Sequence, residues 1–486
     1  MNKKYYKISF IFFLIIINIL LIHKYNIFNG DDGILIPHIA DYHFFHLKDS
    51  IICKEWPIHK FYLILLSDLY LNYYELGAKL LTLIDVEFIN IKFFTLVLFF
   101  FCFIIFYQSK QDSTNLFWYA CIFLTLEPFL VMSHSIRHDI FIFFGLSILL
   151  YILFNFEKHK NYSFFILPII WLLLLTHPSG YPFIIISIIY LFIFNRDKYY
   201  IFLPLGLLAI FIHIWINDIT FIQIIELFKN RYTEQEKYLI GSENAFTIEK
   251  IIDYFWYAKY KRHLLEILIF IPYLHLAFYF KKLSKKEKFF YLIPLVTLAM
   301  YQMLNYFNVS YFKHLYLIFL SIYIKLNYDY FIKIKFNNSF KISLVKISSI
   351  LFIIVYFCIA FIFLPHDSWG HLIKNKSKID SYIENKNLLV AAPLYYGFLF
   401  PKKSSKYLPI RQLGDKRCKE SIDFKNQIDI LMIDTKSLNE SQNDNPQFKY
   451  LNFYLKKMKM VEKIRIGRLA TQSLNKDGFL YIYRIK

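Results

Sequence analysis

Charge is withheld from the longest stretches of this sequence. Ile8–Ile22 has none, and Ile342–Leu364 holds a single lysine, Lys346. Each stretch, tilted or flanked by its aromatics, is long enough to cross a hydrocarbon layer of about 30 Å. Lipid offers the backbone no water, so such segments satisfy their own polar groups as helices. With 57% hydrophobic residues and a mean hydropathy of +0.40, the 486 residues do not read as two or three soluble domains. Cysteine is scarce as well: Cys102, Cys121 and Cys358 fall in apolar stretches, which leaves only Cys53 and Cys418, whose pairing is open. No small-residue cleavage site follows the first apolar run, so that run is expected to be a retained anchor. The histidines follow no HExxH or other zinc-ligand spacing. Acidic residues are the minority, 36 against 56 Lys and Arg. The resulting charge of +20 is spread as lysine over loops, so it does not point to nucleic acid.

What is present is a series of about eleven apolar segments. Helices are predicted near 7–23, 88–107, 115–132, 139–155, 164–176, 181–194, 199–217, 264–280, 289–305, 309–325 and 342–364. The basic residues fall on alternate connections. Lys158 and Lys160, Arg196 and Lys198, the run from Lys281 to Lys288, and Lys325 to Lys341 all lie on one side. The other side's short turns hold little beyond Arg137 and Lys313. That asymmetry puts the N-terminus in the cytoplasm, and an odd number of spans puts the C-terminus outside. The expected fold class is therefore an all-α polytopic membrane protein over 1–365. A small extracytoplasmic α/β domain follows over 366–486.

The polar chemistry gathers on the outer side. GDDG (Gly30–Gly33) opens a long first loop, 24–87, which contains apolar stretches with polar residues at helical spacing, read as interfacial helices. Two adjacent carboxylates between glycines suit proton acceptance or a divalent cation, while on the dipeptide alone an ordinary solvated turn is the commoner use. Further along that loop, Lys60 either meets a phosphate or snorkels. The other outer segments are the turns SHSIRHD (Ser133–Asp139) and THPSG (Thr176–Gly180) and the loop 218–263. A transporter would carry ionisable groups or broken helices at the bilayer midplane. Here the helix centres are bland, which suits a reaction at the membrane surface on a lipid-tailed substrate.

The order of these features resembles the GT-C superfamily of membrane glycosyltransferases. The nearest likeness is to dolichyl-phosphate-mannose–protein mannosyltransferases and bacterial aminoarabinose transferases of lipid A. GDDG stands where that family has its first-loop acidic motif, although here it is Asp-Asp rather than Asp-Glu. The passage from Glu127 to Leu153 resembles the family's third-to-fourth helix connection, with Arg137-His138-Asp139 at the turn. The passage around Thr176–Gly180 resembles the fifth-to-sixth connection. The likeness is good over about residues 1–200 and only in outline beyond.

The resemblance implies a sugar donor on a polyprenyl phosphate and an acceptor hydroxyl on a lipid, glycan or protein. It implies a bacterial plasma membrane location. A phosphate leaves as an anion, so it needs counter-charge more than a proton. Asp31 is then the base, with Asp32 as the alternative. Arg137 either forks onto the phosphate or pairs with Asp139 to close its own turn. His177 contacts the phosphate or acceptor, or simply stabilises a His-Pro turn. Glu127, expensive at its depth unless paired, is placed with Arg137 or a sugar hydroxyl, and His138 and Asp139 with the substrate. No cofactor is fixed by the sequence; a divalent cation is compatible with the acidic pair.

After 366 the composition turns to Lys, Asn, Asp and Ser. NLLVAAPLY and DILMIDT read as buried strands, 371–386 and 447–459 as helical, and VEKIRIGRL with GFLYIYRIK as a closing strand pair. Two other functions fit an outline of many helices with large outer loops. A lipid-linked glycan polymerase or ligase would not place an acidic pair directly after its first helix. A transporter or flippase would show repeated halves, and none is visible.

Overall fold

The computed structural model describes residues 3–24, 96–105, 116–126, 139–155, 180–194, 280–303, 344–363, 374–391, 406–410, 426–441, 451–468 and 477–485, with isolated positions between them. The chain divides into two compact units. One comprises Met1–Leu14, Val97–Val131 and His138–Phe357; the other comprises Ile15–Leu96, Met132–Arg137 and Cys358–Lys486.

The first unit is helical. Its principal helices include Leu116–Thr125, Asp139–Asn155, Tyr181–Phe194 and Lys285–Met303. It also takes in the start of the Lys3–Lys24 helix and most of Leu344–Phe363. Asp139–Asn155 and Tyr181–Phe194 coincide with the apolar segments predicted from sequence. Lys285–Met303 begins four residues before the predicted 289, inside a lysine run that reads as loop. A capping box explains the early start. The Ser284 N–H donates to Glu287 Oε2 at 2.8 Å, and the Glu287 N–H donates to Ser284 Oγ at 3.3 Å.

The buried seam is aromatic. Phe99, Phe123, Phe129 and Phe143 are fully buried, with Phe99 stacked on Phe123 at 5.1 Å and Phe129 tilted against Phe143 at 5.0 Å. The buried hydroxyls of Thr125, Ser147, Ser187 and Thr297 each donate to the carbonyl four residues earlier, so each is satisfied within its own helix. Pro294 lies inside the Lys285–Met303 helix, which continues through it. In the turn before it, Tyr273 donates its hydroxyl to the Tyr291 carbonyl at 2.7 Å and stacks on that ring at 4.5 Å.

The outward faces of the same helices are equally apolar. Phe12, Ile193 and Ile354 are half exposed or more, while Ser187 and Ser349 are fully buried. Among the described residues, no helix is long and apolar enough to cross a membrane. By axis length alone, Lys3–Lys24 has 22 residues and Leu344–Phe363 has 20, each on the order of 30 Å at about 1.5 Å per residue.

The second unit contains a five-stranded mixed sheet in the order β2-β1-β3-β5-β4. The strands are β1 (Asn387–Ala391), β2 (Lys406–Pro409), β3 (Ile430–Asp434), β4 (Met458–Arg468) and β5 (Asp477–Ile485). β1 runs parallel to both β2 and β3, whereas β5 is antiparallel to β3 and β4. Every residue of β3 is buried, as a central strand covered on both faces requires. One face packs Leu389, Leu431 and Ile433 against Leu451 and Tyr454 of the Leu451–Lys457 helix. That burial pushes the Tyr454 hydroxyl up to about 12.

The Lys376–Ile383 helix is tied to β4. Glu462 accepts from Lys378 Nζ at 2.9 Å and from the Tyr382 hydroxyl at 3.2 Å. Asn385, at φ 58°, turns the chain out of this helix into β1. The sequence pattern extends that helix over 371–386 and predicts another over 447–459; the structure ends them at Ile383 and Lys457. The pattern gives no sign of β2 or of the Thr435–Ser441 helix.

Candidate functional site

The outer turns singled out from sequence meet the described structure at few points. Asp31, Asp32, Lys60, Glu127, Arg137, His138 and His177 lie outside the described residues. Asp139 enters as the first residue of the Asp139–Asn155 helix. The four residues after it, Ile140 to Phe143, are all buried, so the helix begins abruptly against packed neighbours.

Of the THPSG stretch, only Gly180 lies among the described residues. A Cβ at this position would stand 2.9 Å from the Leu173 carbonyl oxygen and 3.3 Å from the Leu173 Cβ. The backbone therefore passes so close to the preceding segment that only glycine fits without movement. From there the Tyr181–Phe194 helix departs. In the sequence Gly180 is only the end of a turn, with no hint of this approach.

At the lysine-rich ends of the helices the contacts are specific. Lys7 lies 5.7 Å from the Phe117 ring and Lys346 5.7 Å from the Trp118 ring. Ser349 donates to the Trp118 carbonyl at 2.8 Å, and Phe13 meets Phe357 at 6.0 Å. Likewise Lys286 lies 5.9 Å from Tyr190, whose hydroxyl donates to the Leu153 carbonyl at 3.1 Å. Lys288 stands 5.6 Å from the Phe280 ring.

One helix carries buried oxygens that the sequence does not flag. Ser348 Oγ and Tyr356 Oη are buried in the Leu344–Phe363 helix without a hydrogen-bond partner among the described residues. No group of three or more His, Cys, Asp or Glu that could hold a metal occurs among the described residues. Cys102 and Cys121 are buried free thiols and Cys358 is an exposed one, while Cys53 and Cys418 lie outside the described residues. No family model matches the chain, and no curated protein matches it.

Proposed function

We propose that this chain is an integral membrane glycosyltransferase. It moves a sugar from a polyprenyl phosphate to an acceptor hydroxyl at the outer face. The observation that carries the membrane part is that the outward faces of the helices are as apolar as the buried seam. Phe12 at 60%, Ile193 at 50% and Ile354 at 52% exposure face outward, while Ser187 and Ser349 are fully buried. Water would penalise such faces, and hydrocarbon accepts them.

The pairing of helix ends supports the same topology. Lysine counting assigns the starts of the Lys3–Lys24, Leu116–Thr125 and Leu344–Phe363 helices to the cytoplasm, and these starts touch through Lys7, Phe117, Trp118 and Lys346. It also assigns the ends of Asp139–Asn155 and Tyr181–Phe194 there, together with the start of Lys285–Met303. Those three meet at Leu153, Tyr190 and Lys286.

The transfer chemistry rests on the ordered outer motifs and their resemblance to GT-C enzymes. The acceptor oxygen attacks the anomeric carbon, the bond from that carbon to the phosphate oxygen breaks, and the hydroxyl proton passes to Asp31, with Asp32 as the alternative. Arg137 holds the leaving phosphate, assisted by His177 and Lys60, while Glu127, His138 and Asp139 contact the substrate. Removing the base should lower turnover by about 10²–10⁴-fold. The test is Asp31→Asn and Asp32→Asn, assayed by surface-glycan mass spectrometry at matched expression. Intact glycan transfer in both variants would sink the assignment.

A further inference from the structure

The described part of the C-terminal domain exposes four large apolar side chains, and they gather in one region. These are Phe453 (44%) on the Leu451–Lys457 helix, Met460 (46%) and Val461 (38%) on β4, and Ile485 (55%) on β5. The helix leads directly into β4, and register pairs Met458 with Ile485 and Met460 with Tyr483. The same ribbon carries a dense set of cations. Lys456, Lys457, Lys459, Lys463, Arg465 and Arg468 fall within thirteen residues that contain one acid, Glu462. That acid is engaged with Lys378 and Tyr382. Two of the cations lie over aromatic rings: Lys457 is 4.1 Å from Phe453, and Lys463 is 4.1 Å from Phe479 and 5.7 Å from Tyr481.

We propose that this strip, from Phe453 through Met460 to Ile485 with its lysines and Arg465, docks the domain onto the anionic phospholipid headgroups of the membrane that anchors the chain. Apolar side chains ringed by Lys and Arg are the composition of an interfacial contact, with hydrocarbon dipping below the headgroups and cations level with the phosphates. Charge complementarity favours lipid over a second copy, because residues 366–486 hold 23 Lys or Arg against 12 Asp or Glu and two such strips would repel. The tether allows it. Residues 364–375 separate the Leu344–Phe363 helix from the Lys376–Ile383 helix, so twelve residues span at most about 40 Å. The inference rests on the membrane reading above.

The test uses the full chain, its five cysteines replaced by serine, reconstituted in vesicles of phosphatidylcholine alone or with phosphatidylglycerol. A fluorophore on Met460→Cys is exposed to a lipid-borne quencher. Docking predicts quenching in the anionic vesicles, little in the neutral ones, and loss of quenching at high salt. Combined Lys457→Glu, Lys463→Glu and Arg465→Glu substitutions should also abolish it, since each cation near an anionic surface contributes about fivefold. Equal quenching in both vesicles, none in either, or shielding through self-association would overturn the proposal. The salt series on the unreversed strip decides even if the triple variant misfolds. A fluorophore on Ile354→Cys separates the two readings: it is quenched in both vesicle types if the helix is embedded, and its failure would count against the membrane reading itself.

Discussion

At the residue scale, two positions owe their identity to backbone geometry. Gly180 sits where a Cβ would press on the Leu173 carbonyl oxygen, so Gly180→Ala should cost about 1–3 kcal/mol by overpacking. Thermal unfolding in detergent would measure this, and an unchanged melting temperature would mean the backbone yields freely. Asn385 occupies the left-handed region at φ 58°, which glycine accepts and a β-branched side chain does not. Asn385→Gly should be nearly neutral, whereas Asn385→Val should lose about 1–2 kcal/mol. Neither requirement is legible in the sequence, because a glycine or asparagine in a polar stretch marks a turn without saying what the backbone approaches. The proposed catalytic residues are the reverse case: Asp31, Asp32 and Arg137 stand out by type and order along the chain. Their mutual distances depend on how loops far apart in sequence converge, and local pattern does not encode that.

At the scale of elements, the Lys376–Ile383 helix is held to β4 by an ion pair with two titration limits. Lys378 donates to Glu462 and holds its carboxyl below the usual glutamate range, and Glu462 in turn raises Lys378 above the usual lysine value. The glutamate's contribution is present above its unfolded value of about 4.3 and lost as pH falls through the depressed one. The lysine's is present below about 10.4 and lost as pH rises through the raised one. Glu462→Gln should therefore speed hydrogen exchange in this helix at neutral pH, after correction for intrinsic rates, and match the parent protein once the pH is low enough to protonate Glu462. Identical protection at about pH 7 would show that the pair contributes nothing. β3 is a different kind of element, fixed by burial alone. Leu431→Ala should cost about 2–5 kcal/mol, read as a fall in the unfolding midpoint. DILMIDT announces this strand because an unbroken apolar run of that length has few other uses in a polar domain. β2 stays hidden, since Lys406–Pro409 is short, ends in proline and takes its pairing from β1. The Ser284–Glu287 capping box is written in the sequence and obscured by the lysines around it.

At the scale of the molecule, the lysine distribution carries more information than any single motif. Cations kept at one set of helix ends are visible without coordinates, and under the proposed membrane reading they assign an order and direction to each apolar segment. They cannot yield which helices pack together, because all of the helices draw on the same Ile, Leu and Phe. If the outward face of the Leu344–Phe363 helix meets lipid, Ile354→Arg should disfavour insertion by about 2.5–3.5 kcal/mol. The same arginine at Phe352, which is buried, should instead disrupt packing and leave the chain trapped as aggregate. Glycosylation-site mapping of the two variants distinguishes the outcomes. Unaltered insertion of Ile354→Arg would argue that this face does not meet hydrocarbon.

The outermost strand of the sheet shows how an open border is kept from becoming a template for other chains. Among the described residues β4 runs eleven residues with one side unpaired in the sheet order, yet its register slips twice, between Met460 and Glu462 and between Arg465 and Gly467. Each slip bends the border and breaks the even spacing of amide and carbonyl groups that a foreign strand would need as a template. A straight border of this length would invite copies to zip into ribbons wherever they are crowded together, and the two irregularities work against that.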